Sequence, residues 1–209
     1  MVFLMDILRL FGRGAGVASV VIVVSLAAVP ALGASATGPP TPTASCPAPT
    51  VSQPFLNLKD KNYYTLAPGG DFANPSGGGW TLSGGAKIVQ TTQPDGTTGY
   101  ALDLPSKAVA VSPVMCVTSA YPTARLSVRN VVGSEGVSFN VSYANGSSWT
   151  TPKNTGQFHG QHNAWTLSNP LNIQPGKAAG WQQVRFTFIA GGTTSDFQVK
   201  NFWVDPRWS

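Results

Sequence analysis

Two histidines three residues apart, His159 and His162, are the side chains in this chain that most readily suggest metal chemistry. An H-x-x-H pair can give zinc two ligands, whereas a closed structural zinc site needs four. The two cysteines lie far away in sequence and the acidic residues are scattered singly, so nothing nearby completes a ligand set. We therefore predict a hydrogen-bonding loop at this position, with no bound metal and no cofactor.

Acid–base or nucleophilic catalysis needs groups that this sequence does not place together. Glu135 is the single glutamate of the chain, and the aspartates occur one at a time. A glycoside hydrolase needs two carboxyl groups that flank the scissile bond, and the G-x-S-x-G motif of many serine hydrolases is absent from the sequence. The sequence therefore predicts no catalytic residues.

The N-terminal segment, residues 1–36, has the layout of a secretory signal peptide. Arg9 and Arg13 precede an apolar run over 17–29, which is shorter than the ~20 residues that a membrane-spanning helix needs. The small residues 34–36 (ASA) form an A-x-A cleavage sequence. We predict cleavage after this sequence, no membrane attachment of the mature chain, and an extracellular or cell-surface location; a retained N-terminal anchor is the alternative.

Residues 37–50 form a proline-rich segment for which we predict an extended spacer. Cys46, within this segment, and Cys116 are the two cysteines of the chain. An even count in an exported chain favours a disulfide between them. In the chain-entropy model, closing a loop of about 70 residues stabilises the fold by roughly 4 kcal/mol, so its predicted role is structural.

Positive charge is spread thinly along the chain. The net charge is +5, and only 10% of the residues are charged. Because nucleic-acid binding needs clustered lysine and arginine beside stacking aromatic residues, this distribution argues against a nucleic-acid partner. Attraction to an anionic envelope polymer remains open.

Apolar and polar residues alternate from residue 51 onward in short segments separated by Gly, Pro, Asn and Asp, the pattern of antiparallel strands. In 197–204, Phe197 and Val199 are inward at odd positions, whereas Phe202 and Val204 are apolar at even positions. Both pairs can face the core only if the strand contains one extra residue between them, which predicts a β-bulge at Lys200-Asn201. We predict an all-β domain over 51–209, an antiparallel two-sheet β-sandwich of the jelly-roll type. The predicted strands are 125–131, 136–143, 182–189 and 197–204, with weaker ones at 54–57, 63–66, 80–82, 86–91, 100–104, 108–111 and 115–118.

Two short motifs carry a family resemblance. Residues 69–74 (GGDFAN) followed by Gly79-Trp80, together with the closing segment 197–205 (FQVKNFWVD), resemble the first and last strand elements of galactose-binding-like jelly-roll carbohydrate-binding modules. The chain is also similar to a group of exported actinobacterial proteins without assigned function. The resemblance implies a jelly roll whose first and last strands are neighbours.

The sequence departs from these modules at the positions where many of them hold a structural calcium. The resemblance aligns those acidic ligands with Ala73, Lys200 and Asn201, which leaves Asp71 and Asp205 as oxygen donors. Calcium takes 6 to 8 oxygen ligands, several of them carboxylates. We therefore predict that this chain binds no calcium, with the Lys200 ammonium near the place of the ion.

Sugar binding of the kind that the resemblance implies needs an aromatic platform and a few polar groups. Trp149 and Trp165 lie in the most polar stretch, 144–170, where we predict an exposed loop, whereas Trp80, Trp181 and Trp203 have apolar neighbours and are predicted to pack in the core. A solvated sheet surface is the alternative interpretation of the outward polar residues. The candidate ligand-binding residues are Trp149, Trp165, Arg125, Arg129, Asn140, Gln183 and Arg185.

The function that we predict is that of a secreted, monomeric, non-catalytic module that binds a polysaccharide or a cell-envelope glycan. A structural or adhesive envelope module that binds a protein partner is the alternative, and it would be marked by an exposed apolar patch. A jelly-roll polysaccharide lyase is the least improbable enzyme. It would be marked by His159 or His162 converging with Arg185 and a tyrosine in one cleft.

Overall fold

Fifteen β-strands and one 3-10 turn, Leu56–Leu58, make up the part of the chain that the computed structural model describes, residues 41–118, 123–173 and 180–205. The predicted signal segment lies outside these residues. The strands are β1 Thr65–Leu66, β2 Thr81–Ser83, β3 Lys87–Thr92, β4 Thr98–Pro105, β5 Val109–Val111, β6 Met115–Thr118, β7 Thr123–Val132, β8 Val137–Asn145, β9 Ser148–Trp149, β10 Lys153–Phe158, β11 Gln161–His162, β12 Thr166–Leu167, β13 Leu171–Asn172, β14 Trp181–Ala190 and β15 Asp196–Val204.

The strands form two sheets, which confirms the predicted all-β sandwich. An eight-stranded sheet has the order β11-β7-β15-β4-β3, with β1 beside β15 and with β12 and β13 beside β7. A seven-stranded sheet has the order β10-β8-β14-β5-β2, with β6 beside β14 and β9 beside β8. All pairings are antiparallel except that of β11 with β7. The pairing of β1 with β15 makes the first and last described strands neighbours, as the resemblance implied.

The core lies between the sheets because alternate side chains of the long strands point inward. On β7, Ala124, Leu126 and Val128 are fully buried, and Arg125 and Arg129, at the alternate positions, point to the outer face. The same alternation buries the inward side chains of β8 and β14. The centre is an aromatic cluster in which rings lie 5.0–6.1 Å apart, formed by Phe72, Trp80, Phe139, Phe158, Phe186, Phe188 and Phe202.

The predicted bulge on the closing strand is confirmed. The register of β15 against β7 shifts between Lys200 and Trp203, and Asn201 takes a left-handed conformation with φ of 54°. The shift lets Phe202 and Val204 continue the buried face that Phe197 and Val199 begin. The backbone of Phe202 then exchanges hydrogen bonds with Ala67 and Gly70, which ties the 69–74 motif to the closing strand.

Three local predictions were wrong. Residues 54–57 form a turn and a 3-10 helix instead of a strand, since Pro54 presets a turn conformation. The polar stretch 144–170 is not a loop but contributes β9, β10, β11 and β12 through backbone pairing, and Trp149 and Trp165 in it are half-buried. Trp181 and Trp203 are also half-buried rather than core residues, whereas Trp80 is buried as predicted.

The segment around Glu135 connects strands of different sheets. It joins β7 of the eight-stranded sheet to β8 of the seven-stranded sheet. Gly133, with φ of 80°, begins the crossing, and a side chain there would collide with the backbone of Ser195. The alternation pattern predicted both strands correctly but carried no information about which sheet each joins.

The predicted disulfide is present between Cys46 and Cys116, whose Cα atoms lie 5.6 Å apart. It fastens the proline-rich segment to β6 of the seven-stranded sheet. The side-chain amide of Gln183 on β14 donates a further hydrogen bond of 3.3 Å to the carbonyl of Ser45. The end of the predicted spacer is thus anchored on the sandwich. Within the described ranges, no helix is long and apolar enough to span a membrane.

Candidate functional site

The outer face of the seven-stranded sheet carries a tryptophan stacked on an arginine. Trp149 ends the short hairpin of β8 and β9, where Gly146 takes the positive φ of 61° that a two-residue turn of this hand needs. Arg185 points outward from the middle of β14, opposite Ser142 on β8. Its guanidinium carbon lies 4.2 Å from the centre of the Trp149 ring. This distance is well within the range of a cation–π contact.

The polar edges of this pair make no hydrogen bond to residues 41–118, 123–173 or 180–205. Within the described residues, neither the indole N–H of Trp149 nor any guanidinium N–H of Arg185 has a hydrogen-bond partner, and Arg185 has no ion pair. Stacking engages only the flat face of a guanidinium, so its in-plane N–H groups remain available as donors. The pair can therefore offer an aromatic surface and several donors to a ligand.

Small polar residues surround the pair on neighbouring strands. Ser142 lies directly opposite Arg185, and Asn140 lies opposite Thr187 one row further along. All three neighbours are buried, and the Nδ2 atom of Asn140 has no hydrogen-bond partner. A buried amide donor without a partner is uncommon, and because this atom has almost no exposed surface it lies beneath the outer face, where an internal water rather than a surface ligand would satisfy it. Sequence reasoning missed Ser142 and Thr187, although strand parity places both on this face.

Gln183, the fourth predicted residue on this face, belongs to the anchor of the N-terminal segment. Its amide donates to Ser45, and it lies opposite Cys116 of the disulfide in the strand register. Beside it is a cavity of about 380 Å³ with largely apolar walls, lined by Pro47, Pro49, Met115 and Trp181 among others. Gln183 is therefore two residues from Arg185 on the same face but is already engaged by the fold.

Trp165 and Arg129 form a second stacked pair, on the eight-stranded sheet. The guanidinium carbon of Arg129 lies 5.2 Å from the Trp165 ring centre. Here the polar edges are engaged. Arg129 donates through Nε and Nη2 to the Gln198 side chain at 2.9 and 2.7 Å and also to the Thr91 hydroxyl. The Trp165 indole donates to the carbonyl of Thr92 at 2.7 Å.

Arg125 is likewise committed to the fold on the eight-stranded sheet. It forms an ion pair of 2.9 Å with Asp60 and lies over the ring of Phe55 at 5.2 Å. Burial raises the pKa of Asp60, but hydrogen bonds from Tyr64, Asn62 and Arg125 outweigh burial and leave that pKa below its usual value. Burial and the bond to Asp60 raise the pKa of Tyr64 to about 12.

The seven predicted ligand-binding residues are thus divided between two opposite faces. Four lie on the seven-stranded sheet and three on the eight-stranded sheet, so they do not form one site. The first group is Trp149, Asn140, Gln183 and Arg185, and the second is Trp165, Arg125 and Arg129. Of these seven residues, Trp149 and Arg185 combine an aromatic surface with donors that have no partner in the described part of the chain.

The histidine pair does not join Arg185. His162 is on β11 of the eight-stranded sheet, where its Nε2 lies 3.0 Å from the side-chain nitrogen of Asn163. His159 adjoins Gly136, just before β8 begins, whereas Arg185 pairs with Ser142 six residues further along. At ~3.4 Å per residue this is a separation of roughly 20 Å. The arrangement that would mark a polysaccharide lyase is therefore not formed by these residues.

Near the place where the family's calcium would lie, Lys200 and Asp71 make other contacts in the described structure. The Lys200 ammonium donates to the carbonyl of Tyr100 at 3.3 Å. Asp71 accepts a hydrogen bond from the backbone of Ala73, closing a local turn. Among residues 41–118, 123–173 and 180–205, no three His, Cys, Asp or Glu side chains are grouped so as to hold a metal ion.

Solved structures similar to this chain are carbohydrate-binding modules of β-sandwich type. The CBM22-1 xylan-binding domain from Paenibacillus barcinonensis Xyn10C matches with 16% identity, a TM-score of 0.42, and coverage of 65% of this chain and 90% of its own. A xylan-binding domain of CBM 22 matches with 18% identity, a TM-score of 0.41, and coverage of 72% and 99%. TmCBM61, solved with β-1,4-galactotriose, matches with 15% identity, a TM-score of 0.36, and coverage of 66% and 93%. No protein-family model matches the chain, and no curated protein matches it.

Proposed function

We propose that this protein is an exported, non-catalytic module that binds a polysaccharide or a cell-envelope glycan on the outer face of its seven-stranded sheet. The observation that carries the proposal is the Trp149–Arg185 stack, whose polar edges have no partner in the described residues. The predicted signal segment supports export, and the disulfide is in keeping with an oxidising compartment. The Trp165–Arg129 stack has a structural role instead.

The chemistry of the stack suits a sugar ring. The apolar face of a pyranose packs on an indole, and the ring hydroxyls then need donors and acceptors at its edge. Arg185 lies over one face of the Trp149 ring, so a sugar would pack on the other face with the guanidinium donors beside it. The indole N–H is an additional donor without a partner among the described residues.

The test compares the two tryptophans. The full chain, produced in an oxidising compartment so that the disulfide forms, is screened against bacterial and plant polysaccharides by pull-down and titration calorimetry. We expect Trp149→Ala to abolish binding of any ligand found and to leave the fold intact. Trp165→Ala, checked for folding by circular dichroism, is the matched control and should retain binding. If Trp165→Ala loses binding and Trp149→Ala keeps it, the site lies on the eight-stranded sheet and the proposed location is wrong.

A protein partner is the second candidate function. Leu56 and Leu58 of the 3-10 turn are 54% and 56% exposed, and Tyr63 nearby in sequence is 39% exposed. Exposed apolar side chains concentrated in one segment are a common mark of protein contacts. If no polysaccharide binds, while Leu56→Ser with Leu58→Ser removes a protein interaction, the adhesive function replaces the one proposed above.

A further inference from the structure

We infer that the glycan bound at the Trp149–Arg185 stack is acidic, a polymer whose sugars bear carboxylates. This inference rests on the proposed function and specifies its ligand. It is carried by three features of the outer face: the absence of acidic residues from the strands of the seven-stranded sheet, the lack of an ion pair or hydrogen bond of Arg185 within the described residues, and the contact of that arginine with Trp149.

The two sheets differ in where their acidic residues lie, although the strands of each carry a net charge of +2. The seven strands of the seven-stranded sheet contain no aspartate or glutamate, and their charged residues are Lys153 and Arg185. The acidic residues that lie in strands, Asp103 and Asp196, are both in the eight-stranded sheet. An anionic ligand therefore meets no repelling carboxylate from the strands of the seven-stranded sheet, and the net charge of +5 favours its approach.

Among the three arginines in the described strands, Arg185 is the one whose guanidinium N–H groups have no hydrogen-bond partner in the described residues. Arg125 is neutralised by Asp60 at 2.9 Å, and Arg129 is bound by Gln198 and Thr91. Arg185 has neither an ion pair nor a hydrogen bond within the described residues. In the described residues the fold uses Arg185 through its contact with Trp149, so its guanidinium keeps two parallel N–H groups that match a carboxylate.

The stack also restrains the guanidinium. Its carbon lies 4.2 Å from the centre of the Trp149 ring, so contact with the indole restricts the rotation of the side chain. The opposite face of the same indole can carry the apolar face of a sugar ring, with a carboxylate on a neighbouring sugar in contact with Arg185. The nearest strand neighbour, Ser142, is neutral.

The test uses probes that differ only in charge. Binding of the full chain to a homogalacturonan is compared with binding to its fully methyl-esterified form, which keeps the sugar ring but loses the carboxylate charge. We expect the acidic polymer to bind about tenfold more tightly, the difference that charge-assisted hydrogen bonds provide. Arg185→Gln should reduce binding of the acidic polymer to the level of the ester. Lys153→Gln, which removes a charge from the same sheet, should have little effect.

The geometry of the anion is tested separately. Arg185→Lys keeps the charge but not the two parallel donors, so it should restore only part of the affinity for the acidic polymer. Dextran sulfate serves as the probe for charge alone. If it binds more tightly than the galacturonan and Arg185→Lys leaves that binding unchanged, the site recognises negative charge in general and the carboxylate assignment is wrong.

The outcomes separate this inference from the proposed function. If the acid and the ester bind equally well, if Trp149→Ala abolishes both and if Arg185→Gln affects neither, the inference is wrong. Glycan binding on this face would then still be established. Absence of binding to any acidic, esterified or neutral polysaccharide would overturn both. A preference for the acid that Arg185→Gln removes, and that Lys153→Gln does not, supports the inference.

Discussion

Replacing each of two stacked arginines by methionine should have very different effects on stability. Arg129 and Arg185 both lie on a tryptophan, at 5.2 and 4.2 Å, and both point outward from a long strand. Methionine keeps an unbranched apolar side chain but removes the donors and the charge. The comparison therefore isolates the hydrogen bonds that Arg129 makes and Arg185 lacks.

The expected difference follows from the contacts. Arg129 donates two hydrogen bonds to the Gln198 oxygen, and Gln198 is itself 8% exposed. A hydrogen bond from a charged group contributes about 1.5–3 kcal/mol, and a buried acceptor left unpaired adds a similar cost. Each stack contributes about 0.5–1 kcal/mol at a partly exposed site. We expect Arg129→Met to cost about 3 kcal/mol and Arg185→Met about 1 kcal/mol or less.

Urea unfolding followed by far-ultraviolet circular dichroism measures this difference with the disulfide intact. The midpoint of Arg129→Met should fall about 1 M further than that of Arg185→Met, with equal slopes. In a thermal melt the gap of about 2 kcal/mol corresponds to roughly 4–8 °C for a domain of this size. Equal losses would refute the reasoning, because they would mean that Arg185 is held by the fold and is not free for a ligand.

Two further predictions concern the disulfide and a partly buried carboxylate. The double replacement Cys46→Ala with Cys116→Ala should lower the free energy of unfolding by roughly 4 kcal/mol, measured by urea titration against the oxidised protein, and a loss below about 1 kcal/mol would contradict the structural role. Asp196 has a buried oxygen without a partner, and burial followed by the neighbouring charge of Asp103 raises its pKa. Because a raised carboxyl pKa means that the charged form destabilises the fold, Asp196→Asn should stabilise the protein at pH 7. This advantage should shrink as the pH falls through the raised pKa and vanish below the ordinary value near 3.8, which melting temperatures across this range would show.

Strand parity allowed much of the fold to be predicted from sequence. The alternation in 125–131, 136–143 and 182–189 places the correct side chains inward, and the shift at Lys200-Asn201 follows from the same rule. The rule fails where backbone pairing forms strands from polar residues. Lys153–Phe158 pairs with β8 although its sequence has no apolar alternation, so its contribution to the seven-stranded sheet was missed.

Parity also explains why the candidate site was predicted only in part. It shows that Arg129 and Arg185 both point outward, but it cannot tell which face each occupies, because that depends on where the chain crosses between sheets. Nor can it tell that Gln198 lies beside Arg129, since their contact joins strands 69 residues apart. Whether an outward arginine is structural or available to a ligand is decided by such non-local contacts.

The crossings between sheets also produce a charge asymmetry that the sequence hides. Successive strands pass repeatedly from one sheet to the other, so that β7, β8, β11, β14 and β15 alternate between the eight-stranded and the seven-stranded sheet. Acidic residues that are scattered in sequence are thereby sorted in space: the two strand carboxylates, Asp103 and Asp196, are both on the eight-stranded sheet, and the strands of the seven-stranded sheet have none. A carboxylate introduced opposite Arg185, at Ser142, would cancel this asymmetry. Ser142→Asp should therefore neutralise Arg185 and abolish the preference for an acidic over an esterified glycan, with Trp149 left in place.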